Sequence, residues 1–321
     1  MALIENSKIY SGNELEAIFF RPMLAEQSLK NQGVRVLFNM PVPTAIHLWE
    51  TTGNVLKPYE NGWQGDATSA KTCKTLDMRR VKAESAFSAA DYYAQVYEHI
   101  VSRPDVNLQD LTGTDLEQAE TALFKKAIAD DLRITTWVGN VDSDQYNTFD
   151  GIFKKILAAH DETGRESYVL NEGISAESVV NMLHGVWNNA PDALKALKKD
   201  GHLAFYVSSN LYQAYEDFVY ANSAENSALC YTEGFDTLYY RGIPVVDLGI
   251  SEEMLDSAGL TTLMCLLTDS RNLVLALNTA DYPDAEVRMW YNPDQMENRQ
   301  RAVFLASADF IDFDLTSSAH A

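Results

Sequence analysis

The sequence predicts an α+β chain organised around one long helix, and three observations predict it. Residues 114–132 carry Leu116, Ala119, Leu123, Phe124, Ala127 and Ile128 at the spacing of a single helical face. Residues 44–86 read as two extended runs around a turn-rich tip. Residues 149–278 mix short amphipathic helices with apolar strands, and the chain then closes in strands. At 321 residues it exceeds the size at which a single core usually stops growing, so two subdomains are expected.

The long helix spans about 28 Å at roughly 1.5 Å per residue. Thr114 caps it, Asp115 and Glu117 suit the positive end of its dipole, and Glu120, Lys125, Asp130 and Asp131 charge the other face. Upstream, residues 13–20 form a short helix stopped by Pro22, with Leu15, Ile18 and Phe19 as its apolar stripe. That segment reads either as an arm needing a partner surface or as a first helix of the core. Residues 34–38 are a strand. The tip that follows holds Pro58, Asn61-Gly62 and Gly65-Asp66, all turn formers. The alternation of Leu76 and Met78 slips phase at Arg79-Arg80 and resumes at Val81 and Ala83. A one-residue slip predicts a β-bulge in a long, bent, protruding hairpin with little core of its own. Residues 88–102 are a helix or a strand-to-helix junction.

In the mixed block, residues 149–159 form a short helix or turn, Ser175 caps a helix, and Pro191 and Gly201 bracket another. Residues 203–207 are a strand leading to a helix capped at Ser208-Ser209-Asn210, with Leu211, Ala214, Tyr215, Phe218 and Val219 on one side. Residues 242–248 form a strand whose Pro244 places it at a sheet edge. Residues 263–268 and 273–277 are buried strands turned at Asp269-Ser270-Arg271. Residues 286–291 and 302–315 close the chain, the latter with Ile311, Phe313 and Leu315 inward and Asp312 and Asp314 outward.

Composition narrows the function. With 25 basic and 46 acidic residues the formal charge is −21, which disfavours general nucleic-acid binding and membrane surfaces. The three cysteines, Cys73, Cys230 and Cys265, have no CxxC spacing and indicate a reducing compartment. The first residues lack a signal-peptide pattern, and the apolar runs are too short to span a bilayer. Together these lead to the expectation of a cytosolic, soluble product.

Catalytic and metal-binding patterns are absent from the sequence. The six histidines (His47, His99, His160, His184, His202, His320) are scattered, and there is no HExxH, GxSxG, GxxxxGK[ST] or GxGxxG. The run Asn140-Val-Asp142-Ser-Asp144 with Asp150-Gly151 resembles the opening of a calcium loop but lacks its spaced Gly and Glu, so it reads as a solvated acidic turn. Asp309, Asp312 and Asp314 read as a solubilising strand edge rather than a carboxylate site. No catalytic, cofactor or metal residue is assigned.

One local feature departs from the acidic background. Residues 71–82 hold Lys71, Lys74, Arg79, Arg80 and Lys82 against only Asp77, a local balance of +4. The bland reading is a solvated strand face. The sharper one is a basic projecting element that lies on the acidic surface of an identical neighbour, a heterologous contact able to close into rings.

The order of these elements resembles the Hong Kong 97-type major capsid proteins of tailed bacteriophages. The local texture is closest at Phe205-Tyr-Val-Ser-Ser-Asn-Leu-Tyr, at Arg241-Gly-Ile-Pro-Val-Val and at Leu267-Thr-Asp-Ser-Arg-Asn-Leu-Val-Leu-Ala. The resemblance covers nearly the whole chain. It implies an N-terminal arm (1–33), an extended E-loop hairpin (34–91), a P domain with the spine helix (92–150), an A domain (151–278) and closing P-domain strands (279–321). It also implies a non-catalytic subunit without cofactors that self-assembles through pentamers and hexamers into the icosahedral head enclosing double-stranded DNA. Partners would be further copies, separate scaffolding, portal and decoration proteins, and packaged DNA without sequence-specific contacts. The virion would be its location, after assembly in the host bacterial cytoplasm. Some relatives form a Lys–Asn crosslink, but no motif selects Lys57, Lys71 or Lys74 for it. The alternatives are an encapsulin-like compartment shell and an α/β enzyme or binding protein with a site assembled from distant residues.

Overall fold

A computed structural model describes residues 8–10, 29, 32–39, 44–52, 68–88, 115–171, 173–221, 238–261, 263–278 and 286–321. The strands are β1 (Lys8–Tyr10), β2 (Arg35–Phe38), β3 (Thr44–Thr52), β4 (Thr68–Leu76), β5 (Arg79–Ser88), β6 (Tyr168–Val169), β7 (Leu203–Val207), β8 (Leu238–Tyr240), β9 (Ile243–Asp247), β10 (Met264–Asp269), β11 (Leu273–Asn278), β12 (Glu286–Asn292), β13 (Glu297–Phe310) and β14 (Thr316–His320). The helices are α1 (Asp115–Val138), α2 (Ile152–Thr163), α3 (Ala176–Asn189), α4 (Asp192–Ala196), α5 (Ser209–Ala221) and α6 (Glu252–Ser257). The expected helix at 13–20, the turn-rich tip at 58–66 and the stretch from 89 to 102 lie outside the described residues.

The strands sort into two sheets and one separate hairpin. The first sheet runs β1-β12-β13-β11-β2, with β5 also on β13. Residues 297–303 of β13 pair with both β12 and β5, and Leu305 and Ala306 pair with both β11 and β5. So β5 occupies one edge of β13, and β12 and β11 follow each other along the other. The second sheet runs β6-β14-β10-β7-β9-β8, and among the described residues β3 pairs only with β4.

The second sheet is buried on both faces, which explains the unbroken apolar runs of β7 and β10. Leu203, Phe205, Val207, Cys265 and Leu267 pack with residues of α3, α4 and α5. Their neighbours Ala204, Tyr206, Met264 and Leu266 point the other way, into a core shared with α1, α2 and the first sheet. One sheet is therefore the wall between two cores, and burying each Leu, Val or Phe on it contributes roughly 1.5–3 kcal/mol.

Helix α1 runs six residues beyond its expected end at Leu132. The extension Arg133-Ile-Thr-Thr-Trp-Val is rich in β-branched residues, which propagate a helix weakly, but Ile134, Trp137 and Val138 are all buried, and packing overrides weak propensity. Gln32 fastens this end: Trp137 Nε1 donates to Gln32 Oε1 at 2.9 Å, and the Tyr206 hydroxyl donates to the Gln32 carbonyl at 2.7 Å. Gly139 then lets the backbone close on itself, since a Cβ there would sit 2.2 Å from the Phe149 carbonyl oxygen. Leu123, expected on the buried stripe with Phe124 and Ile128, is instead 60% exposed.

Four strand readings are corrected. The phase slip near Arg79 is not a bulge: the chain leaves the β3–β4 hairpin at Asp77-Met78, and β5 joins the first sheet. Residues 302–315 are not one strand: β13 ends at Phe310, a 3-10 turn spans Phe313–Leu315, and β14 enters the second sheet. β10 and β11 do not fold back on each other across Asp269-Ser270-Arg271 but part into different sheets. β9 is not an edge strand, because three-residue β8 lies outside it; Pro244 faces Tyr239 there and precedes the residues of β9 that pair with β7.

The last strand is held by a histidine clasp. His160 on α2 is buried, its Nδ1 lies 2.6 Å from the Arg165 carbonyl, and its Nε2 lies 2.7 Å from Ser318 Oγ on β14. A carbonyl only accepts, so Nδ1 carries the proton and Nε2 accepts from the serine. His320 Nδ1 lies 2.9 Å from Ser167 Oγ. Burial pulls both histidines below their ordinary range, and the Arg165 charge acts in the same direction on His160. Depressed folded values mean that the unfolded chain binds more protons as pH falls through about 6.5. The thermal midpoint of the isolated chain should therefore hold above about pH 7 and fall below about pH 6.5, and His160→Gln with His320→Gln should flatten that decline.

Candidate assembly surface

The root of the β3–β4 hairpin rests on the face of the first sheet opposite α1. Leu76 and Met78 bury against Val274, Ala276 and Leu305, with Leu37, Ile46 and Ile311 around them. A two-stranded hairpin is marginal alone, so this patch anchors it.

An ion cluster reinforces the root. Lys74 Nζ lies 2.7 Å from Asp309 Oδ1 and 3.5 Å from the centroid of the Phe310 ring, and it also donates to the Phe310 carbonyl. Lys155 of α2 reaches the other oxygen, Asp309 Oδ2, at 3.0 Å. Burial holds the Lys74 ammonium below the usual lysine range, with Asp309 offsetting part of that effect. Asp309 is thus not on a wet edge: it is 6% exposed and ties hairpin, sheet and helix together. Of its expected companions, Asp312 caps the turn by accepting from Asp314 N at 2.9 Å, and Asp314 is exposed.

The other cations of the basic stretch separate by strand and by face. Lys71 lies on β4 opposite Trp49, farther along the hairpin than Lys74. Arg79 pairs with Ala306 and Arg80 with Leu305, which belong to opposite faces of the sheet. Successive strand residues point to opposite sides, so Arg79 shares the α1 face and Arg80 the hairpin face. Lys82, opposite Val303, follows Arg80 on that face, is 58% exposed and pairs with Glu84 at 2.8 Å. The five residues therefore do not form one stripe.

Around Arg79 the acidic turn is also tied down. Lys154 Nζ lies 2.6 Å from Asn140 Oδ1, 2.7 Å from Asp142 Oδ2 and 2.8 Å from Asp150 Oδ1. An ammonium thus sits among the oxygens that suggested a calcium loop. Burial pushes the Asp150 carboxyl up, but hydrogen bonds from Lys154 and the Val141 N–H outweigh it and hold the group below the usual range, with Arg79 acting the same way. Among the described residues there is no group of three or more His, Cys, Asp or Glu side chains able to hold a metal, and no helix is long and apolar enough to cross a membrane. Between α1 and β5 lies an open cleft of about 530 Å³, lined by Phe124, Ile128, Val81, Phe304, Glu120 and Asp131 among others.

The sequence reading missed Arg288, Arg299 and Arg301. They lie on β12 and β13, on the same face as Arg80 and Lys82. Their signal was present as alternation, Arg299 and Arg301 interleaved with Gln300 and Ala302, but only the strand register brings them beside β5.

No protein-family model matches this sequence, and no curated protein matches it. Solved structures do. A chain of the satellite phage P4 procapsid, a structure that includes the size determination protein, matches with a TM-score of 0.56 and 10% identity, over 94% of this chain and 97% of its own. A chain of Gordonia phage Cozz matches with a TM-score of 0.54 and 11% identity over 92% and 86%, and one of Microbacterium phage Oxtober96 with 0.51 and 11% over 92% and 90%. At such identities the likeness is one of fold. The chain has the Hong Kong 97-type fold of phage capsid subunits.

Removing the Asp309 carboxylate should leave two partly buried ammoniums facing each other. Asp309→Ala should cost about 3 kcal/mol in urea unfolding of the isolated chain, and Lys74→Met clearly less, since Asp309 keeps Lys155.

Proposed function

We propose that this chain is the major capsid protein of a tailed bacteriophage, a structural subunit that self-assembles into the icosahedral head around double-stranded DNA. The observation that carries the reading is the shared fold, which extends over nearly the full length of both chains rather than over one module. The role is structural. Two close Ser–His pairs occur among the described residues, Ser318 with His160 and Ser167 with His320, and Ser318 is 2% exposed.

On this reading the subunit divides into arm (1–33), E-loop (34–91), spine-helix region (92–150), A domain (151–278) and closing strands (279–321), with β14 returning to complete the second sheet. Pentamers and hexamers are the assembling units, scaffolding, portal and decoration proteins are separate chains, and assembly takes place in the host cytoplasm. The acidic body, at −21, keeps free subunits apart and contacts packaged DNA without sequence preference. Within the basic stretch, Lys74 is held at the hairpin root and Arg79 faces α1. Lys71, Arg80 and Lys82 are the residues proposed to meet a neighbouring copy.

Sedimentation velocity tests both levels. The wild-type protein is expected to populate ring-sized or shell-sized species, and Arg80→Glu with Lys82→Glu to abolish them while leaving circular dichroism unchanged. A double variant that assembles like the wild type contradicts the contact. A wild type that stays monomeric in every condition, with a co-expressed scaffold included, contradicts the shell.

A further inference from the structure

Strand β14 is buried almost without apolar side chains. Thr316, Ser317, Ser318 and Ala319 are each at most 3% exposed, and of these Ala319 alone is apolar. Its neighbour β10 buries Met264, Cys265, Leu266 and Leu267, so apolar area anchors β10 but not β14. Backbone pairing to β10 and β6 holds β14, together with side-chain hydrogen bonds. Thr316 Oγ1 donates to the Phe313 carbonyl at 2.7 Å, and Ser317 Oγ donates to the Val186 carbonyl at 2.8 Å. The other two bonds involve histidines, Ser318 with His160 and His320 with Ser167. A buried hydroxyl that loses its partner bears the full cost of having left water, so a strand held this way opens readily once its bonds are disturbed.

The surroundings of His160 suit a neutral ring. Both nitrogens are engaged, and the Phe313 ring meets the imidazole edge-on with centroids 5.0 Å apart. The charged groups around the clasp are Arg165 on the loop after α2, Asp161 on α2, Asp312 and Asp314 at the turn, and His320 on β14 itself. Arg165 is bonded across the turn: its guanidinium donates to the carbonyls of Phe313 and Thr316, lies 3.8 Å from Asp314 and sits over the Phe313 ring. An imidazolium at His160 is disfavoured most by burial, and the charges of Arg165 and of a protonated His320 add to that. The hydrogen bond to the Arg165 carbonyl and the charge of Asp161 oppose it without cancelling it. At His320 burial acts in the same sense and Asp161 against it.

We propose that β14 is an acid-released latch: protonation of His160 and His320 frees this strand from β10 while the first sheet and the rest of the second stay folded. Two short turns carry the chain directly between the sheets, one from β10 into β11 at Ser270–Asn272 and one from β13 into β14 at Phe313–Leu315. The latch opens the second and leaves the first, so the two cores stay joined through one turn instead of two. Released histidines titrate near their ordinary value of about 6.5 and clasped ones below it, so the latch is closed above about pH 7 and loosens as pH falls below about 6.5. The device acts within one subunit and does not depend on the shell reading.

Amide hydrogen exchange of the full chain at about pH 7.5 and about pH 5.5 tests it, expressed as protection so that the pH dependence of the intrinsic rate cancels. Protection of residues 316–320 is expected to fall by at least about tenfold between the two conditions, while residues 203–207 of β7 and 273–278 of β11 hold theirs. His160→Gln with His320→Gln should remove this pH dependence, whatever the protection of the variant at neutral pH. His184→Gln, on exposed His184 of α3 outside the clasp, should retain it. Equal protection of residues 316–320 in both conditions overturns the latch. A fall shared by β7 and β11 also overturns it, because the histidines then act only on global unfolding. A fall that persists in the double variant overturns it by assigning the acid response to other groups.

Discussion

Strand β13 is hydrogen-bonded along both edges, and the rest of the molecule depends on that constraint. Its 14 residues take β5 on one side and β12 followed by β11 on the other. Backbone groups of a buried strand must all be paired, so a strand this long fixes the position of everything attached to its neighbours. Through β5 it fixes where the hairpin leaves the body. Through β11 it fixes the crossing at Asp269-Ser270-Arg271 into the second sheet, and its own continuation through the turn at Phe313–Leu315 brings β14 back into that sheet. Because the second sheet is covered on both faces, the two cores are coupled through a single layer of side chains.

The same strand organises the charges. Asp309, its penultimate residue, turns two lysines from different elements into a brace at the hairpin root. Removing either partner from such a buried pair costs more than the pair contributes, so the root is held by the penalty for opening it. Farther along the same face of the strand, Arg299 pairs with Glu297 at 3.3 Å and Arg301 lies opposite Arg288. A chain at −21 repels its own copies at long range.

Much of the fold was legible in the sequence where local chemistry and burial agree. Leu203–Val207 reads directly as a strand, the cap at Ser175 forms with Ser178, and Pro191 and Gly201 bracket the short helical segment as expected. Failures fall where tertiary pairing decides. Thr316-Ser-Ser-Ala-His carries almost no apolar signal, yet it is a buried strand because β10 and β6 pair with its backbone and Ser317 and Ser318 bond inward. The break at Asp77-Met78 looks like a one-residue slip because β4 and β5 both alternate. Only their partners, β3 and β13, distinguish a bulge from a change of sheet. The basic stretch was visible as composition, but its division into root, helix face and outer face follows from strand parity and register. Arg288 lay more than 200 positions away from it and carried no local sign of belonging.

The central claim is that this fold builds a closed shell from copies of one chain. Electron cryomicroscopy of the assembled protein, at a resolution that traces the chain, tests it most directly. The account predicts closed icosahedral particles walled by five- and six-membered rings of this subunit, with the β3–β4 hairpin extending over an adjacent copy. Discrete, unassembled subunits under every assembly condition, or particles whose wall is made of another protein, would contradict it.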